Sequence, residues 1–163
     1  TTRPVTDMVK EALFNILAGD VIDSHWWDLF GGTGAIGIEA LSRGASFVRF
    51  SDLNRLPVDI IKLNLSNTGF ANLAEVRRED SFKRLSSSPD HKFDYLYIAP
   101  PQYKEMWLQA VKIADNNHGW LNSGAWVMVQ IHPQEFQELK LEHLVKFDER
   151  KYGSTLLIFY EKS

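Results

Sequence analysis

A chain of 163 residues with 44% hydrophobic content carries enough apolar material for one domain with a full core. Its net charge of −3 excludes a general basic field, so a nucleic-acid partner must be met by a local patch or by segments outside this chain. The lack of cysteine excludes disulfides, thiolate metal sites and thiol nucleophiles. No apolar run is long enough to span a membrane and no signal peptide is legible. The chain opens on Thr1 rather than Met, which sets the expectation that further sequence precedes it.

In chain order, Thr6 is placed to cap a helix through Val9, Ala12, Leu13, Ile16 and Leu17, with Gly19 ending it. Residues 25–30 read as a buried strand and 35–43 as the helix behind it. A second strand spans 46–51 and ends at Asp52, a helix spans 56–65, and Asn67-Thr68-Gly69 closes it. A short strand at 74–77 leads through Asp80 into a brief helix ending at Leu85. Residues 93–98 form a fourth strand stopped by Pro100-Pro101, 103–114 a helix, and 125–131 a fifth strand stopped by Pro133. Residues 144–160 read as two strands turning at Tyr152-Gly153-Ser154. Strands alternate with helices until that last pair, so the fold class is α/β, one domain over 1–163, with a mostly parallel sheet and an antiparallel finish.

Residues 28–45, DLFGGTGAIGIEALSRGA, hold the strongest chemical signal. An acid ends an apolar strand, a glycine-rich turn follows, and a helix begins, which is the arrangement that receives an adenosine-bearing cofactor. Gly32, Gly34 and Gly37 fit G-x-G-x-x-G, a loop shared by nicotinamide dinucleotides and S-adenosylmethionine. Asp52, twenty residues beyond Gly32, is placed to bind ribose hydroxyls; its bland alternative is a surface acid opening a loop. Asp80 is placed to reach an adenine amino group or, equally, to cap the helix over Ser81-Phe82-Lys83. Asp28 is surrounded by apolar neighbours, and a buried acid demands a partner: a cofactor amino group, loop amides, or both.

The second stretch is Ala99-Pro100-Pro101-Gln102-Tyr103, at the C-terminal end of the fourth strand, the edge where ligands sit in an open parallel sheet. Two prolines fix the backbone and release its carbonyls from ladder bonding, leaving them to hold a planar amine, and an adjacent aromatic can stack on a base. The five histidines show no metal spacing. His132 has two readings, a substrate contact or a solvated loop residue, and the second is expected. Trp26, Trp27 and Trp126 are expected in core strands. Trp107 and Trp120 are the better surface candidates for stacking, though core packing is expected for both. Arg77-Arg78 and Lys83-Arg84 are expected to form a solvated face rather than a phosphate contact.

With these residues in view, the chain resembles the RsmD-type ribosomal RNA guanine-N2 methyltransferase family. The likeness is densest in Arg3-Pro-Val-Thr-Asp-Met-Val-Lys-Glu-Ala-Leu-Phe-Asn15 and in the glycine loop. It implies a Rossmann-like class I methyltransferase fold: seven strands, mostly parallel, with an antiparallel C-terminal strand and helices on both faces. It implies S-adenosylmethionine as cofactor, held by Asp28, Phe30, Gly32, Thr33, Gly34, Asp52, Leu53, Asp80 and Ser81. It implies a reaction loop of Ala99, Pro100, Pro101, Gln102 and Tyr103, and Arg3, Thr6 and Asp7 on the substrate side. The implied partner is ribosomal RNA or the small-subunit particle, met by a monomer with no metal, in the bacterial cytoplasm or a plastid stroma. Two departures stand out: Ala99 replaces the family's usual Asp or Asn, and Gln102 takes its aromatic slot, with Tyr103 one place later. The family's basic N-terminal hairpin, which contacts RNA, does not appear in this sequence. Other readings are a catalytically impaired relative, a methyltransferase for adenine N6 or a glutamine amide, and an NAD-dependent oxidoreductase. The last lacks a substrate domain and a Tyr-x-x-x-Lys pair.

Overall fold

A computed structural model describes residues 6–101 and 105–163. Gln102 and Tyr103 of the reaction loop, and Arg3 on the substrate side, lie outside the described residues. The backbone divides into two compact units, one running to Ser81 and the other from Phe82 to Ser163. Seven strands, β1 (His25–Asp28), β2 (Phe47–Asp52), β3 (Ala74–Arg78), β4 (Phe93–Ile98), β5 (Leu121–Ile131), β6 (Leu144–Tyr152) and β7 (Thr155–Lys162), form a sheet in the order β3-β2-β1-β4-β5-β7-β6, and the antiparallel member is β7.

In the first unit, α1 (Asp7–Leu17) begins where the Thr6 hydroxyl accepts the Val9 amide at 3.3 Å, as its sequence spacing predicts. Its buried face is Val9, Leu13, Phe14 and Leu17. The helix does not end at Gly19: the cap is Ala18 at φ 48°, and a 3-10 turn, Ala18–Val21, follows. Leu17 at the end of the buried face is 1% exposed, so the chain turns as soon as that face is spent. Strand β1 (His25–Asp28) pairs in parallel with β2 (Phe47–Asp52), which pairs in parallel with β3 (Ala74–Arg78). Helix α2 (Ala35–Ser42) follows β1, and α3 (Arg55–Thr68) follows β2, with Gly69 as its C-cap. The α3 pattern of Val58, Ile61 and Leu65 faces the sheet at helical spacing.

In the second unit, the short α4 (Ser81–Leu85) leads to β4 (Phe93–Ile98), α5 (Met106–Asn116) and β5 (Leu121–Ile131). β5 starts four residues earlier than the sequence suggests. Its pairing with β4 carries an irregularity between Phe93 and Tyr95, and Gly124 sits in the left-handed region at φ 80°. β6 (Leu144–Tyr152) and β7 (Thr155–Lys162) form the expected hairpin around Gly153. Asp115, 5% exposed at the end of α5, fastens the entry to β6: its carboxylate accepts the amides of Glu142 (3.0 Å), His143 (2.7 Å) and Leu144 (3.0 Å).

One tryptophan corrects the sequence reading, while the core packing expected of Trp107 and Trp120 is observed. Trp107 and Trp120 are fully buried, whereas Trp126, expected in the core, is half-buried on β5 and donates to Glu161 at 3.2 Å. Its position in the middle of a long strand identifies it as a sheet residue but not which sheet face is covered. Trp26 and Trp27 are buried as expected.

Candidate cofactor site

The site is built at the C-terminal ends of β1, β2 and β3, within the first unit. β1 ends at Asp28, and the chain passes through Leu29 and Phe30 into Gly31-Gly32-Thr33-Gly34 before α2 starts. Gly32 (φ 61°) and Gly34 (φ 82°) occupy the left-handed region, which side chains disfavour, so the tight turn requires glycine at both. Gly37 serves packing instead: a Cβ there would lie 2.5 Å from Phe50 Cζ and 2.8 Å from Val48 Cγ1. The three glycines therefore divide the work as the spacing predicts, two for the turn and one for helix against strand. Gly31 makes a contact the sequence reading missed: a Cβ there would meet the Ile61 Cδ1 methyl at 2.6 Å, so that side-chain end would have to shift, while the nearest backbone atom, the Ser51 carbonyl oxygen, lies at 3.4 Å. The doubled glycine in the sequence was the available signal.

Asp52 is 6% exposed at the end of β2. It is neither a free surface acid nor an empty hook. One oxygen accepts the Gly32 amide at 3.3 Å and the other the Asn54 amide at 3.0 Å, so Asp52 ties the glycine turn to the start of α3. Each oxygen keeps a lone pair for a further donor such as a ribose hydroxyl. Leu53, next in the chain, is 62% exposed, an apolar side chain beside the acid. Asp80 is half-buried between β3 and α4, and Ser81, 5% exposed, donates its hydroxyl to the Leu29 carbonyl, pinning the end of β3 to that of β1. Thr33 is exposed and its carbonyl accepts Asn64 Nδ2 at 3.0 Å, a second tie between loop and α3. Phe30 is half-buried.

Asp28 is 2% exposed, and its Oδ1 has no hydrogen-bond partner among the described residues. Burial pushes its carboxyl well above the usual carboxylate range, and the nearby Asp52 charge adds to that, against a hydrogen bond from the Phe30 amide. An orphaned carboxyl oxygen at a glycine-loop site fits a ligand that brings a cation or a donor, and the amino group of S-adenosylmethionine is such a donor. The residues present therefore fit this cofactor.

In the second unit, β4 ends at Ile98, and Ala99 and Pro100 leave it as buried, non-strand backbone. Tyr97, one residue inside the strand end, donates its hydroxyl to Gln130. Helix α5 starts at Met106 rather than 103, after Glu105 in the left-handed region at φ 52°. His132 is a structural residue: its Nδ1 accepts the Gln134 amide at 3.1 Å while Glu135 accepts the His132 amide at 2.9 Å, a capping box for the turn Pro133–Glu135. Thr6 caps α1 and Asp7 opens it, both exposed. Of the basic pairs, Arg77 is bridged to Glu75, the exposed Arg78 donates to the Leu53 carbonyl at 3.3 Å, and Arg84, half-buried over the Trp120 ring, meets Asp90 at 2.6 Å. No group of three or more metal-ligating side chains exists among the described residues, and no described helix is long and apolar enough to cross a membrane.

The profile of the family described as Conserved hypothetical protein 95 matches residues 1–161. YlbH of Bacillus subtilis, whose name assigns it provisionally to the rRNA methyltransferases, is 31% identical over 165 residues, covering 99% of this chain and 89% of its own. Ribosomal RNA small subunit methyltransferase D of Haemophilus influenzae is 34% identical over 130 residues, covering 78% of this chain and 67% of its own. The solved structure of Escherichia coli yhhF, described provisionally as a methyltransferase, superposes with a TM-score of 0.90 at 25% identity, covering 99% of this chain and 88% of that one.

Proposed function

Because the chain belongs to the RsmD-type ribosomal RNA methyltransferase family, the family described as Conserved hypothetical protein 95, we propose that it methylates the exocyclic N2 amine of a guanine in small-subunit ribosomal RNA. The observation that carries this reading is the glycine turn held between two buried acids, with Asp28 Oδ1 still unpartnered. When bound, S-adenosylmethionine supplies an electrophilic methyl group on a sulfonium. Asp52 and the turn amides hold its adenosine end, Leu53 offers apolar surface to the base, and Asp28 receives its amino group. Gly32 and Gly34 let the backbone come close.

The substrate side rests on Ala99, Pro100, Pro101, Gln102 and Tyr103. A guanine amine is a weak nucleophile because its lone pair is delocalised into the ring. The Ala99 and Pro100 carbonyls and the Gln102 amide oxygen accept its N–H bonds, which pyramidalises the nitrogen and orients its lone pair. Tyr103 stacks on the base. The methylated nitrogen then sheds its proton to solvent without a strong general base. Ala99 in place of Asp or Asn removes one side-chain acceptor and slows this step without changing its course. Arg3, Thr6 and Asp7 border the substrate. The 163 residues act as a single domain and a monomer on the ribosomal RNA or its small-subunit particle, in the bacterial cytoplasm or a plastid stroma.

Labelled-methyl transfer to unmethylated small-subunit RNA and to its particle tests the reading, with calorimetry using S-adenosylmethionine, S-adenosylhomocysteine and NAD on the native protein and Asp52→Ala. The expected result is micromolar binding of both adenosyl-sulfur ligands, weakened in Asp52→Ala, with label appearing at guanine N2. Binding of NAD alone would refute it in favour of an oxidoreductase.

A further inference from the structure

Asp28 has a second consequence, which rests on the methyltransferase reading above. Its carboxyl is buried and accepts the Phe30 amide, and among the described residues its Oδ1 has no donor. Among the described residues, the Asp52 charge, across the β1–β2 pairing, repels a charge on Asp28. Asp52 accepts the amides of Gly32 and Asn54, one on each carboxylate oxygen. Of two neighbouring acids, one is supported by amides on both oxygens and the other has the Phe30 amide and an orphaned Oδ1. A carboxyl buried with one oxygen unpartnered and a second acid beside it favours its neutral form.

We propose that Asp28 is a proton-exchange residue of the cofactor site: the empty site holds a proton on its carboxyl, and the ammonium group of an incoming adenosyl amino acid displaces it. The O–H bond of Asp28 breaks, the electron pair stays on the carboxylate, and the proton passes to solvent, while the ammonium keeps its own protons and becomes the counter-ion. The site thereby selects for a ligand with a cationic amino-acid end, because an adenosyl thioether lacking that end leaves Asp28 protonated. Affinity for the amino-acid-bearing ligand falls as the solution is acidified, since below the range where the empty site takes up its proton each pH unit costs up to tenfold.

The test is calorimetry on the full chain with S-adenosylhomocysteine and with 5′-methylthioadenosine, at several acidic and neutral pH values, each in two buffers of different ionisation enthalpy. The expected result is proton release on S-adenosylhomocysteine binding, approaching one proton at the acidic end and shrinking as pH rises, with none for 5′-methylthioadenosine. In Asp28→Asn the release disappears and the affinity becomes flat with pH. A second readout is independent of the variant: the carboxylic-acid carbonyl band of the empty native protein in the infrared disappears when S-adenosylhomocysteine is added. Equal release from native and Asp28→Asn proteins, equal release with both ligands, or an infrared band that persists would overturn the proposal while leaving the methyltransferase reading intact. No binding of S-adenosylhomocysteine at any pH would overturn both.

Discussion

Gly37→Ala decides whether the third glycine of the loop is there for packing. Two effects of opposite sign compete. Alanine in a helix interior is favoured over glycine by about 1 kcal/mol, and Gly37 lies within α2. Against this, the new methyl would lie 2.5 Å from Phe50 Cζ and 2.8 Å from Val48 Cγ1. Both neighbours are 0% exposed, and the aromatic ring is not the far end of a flexible chain. Overpacking of a rigid core costs up to about 3 kcal/mol, so the net loss is about 2 kcal/mol. For a domain of this size that is a fall in Tm of roughly 4–8 °C. Urea unfolding followed by tryptophan fluorescence measures it as a lower midpoint at unchanged m. The double variant Gly37→Ala/Phe50→Leu should recover at least half a kilocalorie beyond additivity, since the clash is with that ring. A Gly37→Ala protein as stable as the native one, or more so, would refute the packing argument and leave helix propensity in charge.

Asp115→Ala should cost about 3 kcal/mol, because three amides of residues 142–144 lose their acceptor; Asp115→Asn, which keeps one oxygen, should cost less. Thermal unfolding gives the loss, and faster hydrogen exchange at those three amides localises it. Asp28→Asn should stabilise the empty protein, by an increment that grows with pH. A folded carboxyl held above its unfolded value binds more protons folded than unfolded in between, so its stability contribution is full at low pH and lost as pH rises through the folded value. Native stability measured by urea unfolding should therefore fall relative to the variant from mildly acidic pH upward, and parallel profiles would exclude a strained Asp28. Ala99→Asp should raise single-turnover methyl transfer by about a hundred- to ten-thousand-fold, the span associated with a positioned acid–base group, with S-adenosylhomocysteine affinity unchanged. An unaltered rate would show that backbone carbonyls already suffice.

The parts legible in the sequence are those whose causes are local. Gly32 and Gly34 announce themselves because a left-handed turn admits little else, and Thr6 because a helix start needs an acceptor within three residues. Strands β2 and β4 are legible from apolar continuity and their closing residues. What escaped detection depends on distant partners. Gly31 packs against the Ile61 side chain, thirty residues on, and Asp115 is held by amides 27 to 29 residues away. Trp126 and Trp107 look alike in sequence, and only the neighbours supplied by other strands and by Phe136 decide which is covered. The helix end at Ala18 belongs to the same class, since the core requires the chain to turn one residue before the glycine that would accommodate it.

The hairpin at the end of the chain leaves β6 as an outermost strand. An outermost strand is an open template for another polypeptide, and this one is spoiled for that use along most of its length. Its pairing with β7 skips Phe147, which breaks the even spacing of the free amides and carbonyls, and Lys146, Asp148, Glu149, Arg150 and Lys151 crowd the same stretch with charge of both signs. Lys146 meets Glu138 and Glu149, and Arg150 meets Asp148, so the charges are held in place rather than swept aside by an incoming strand. An extended segment of another chain therefore meets no straight rail to join along this edge.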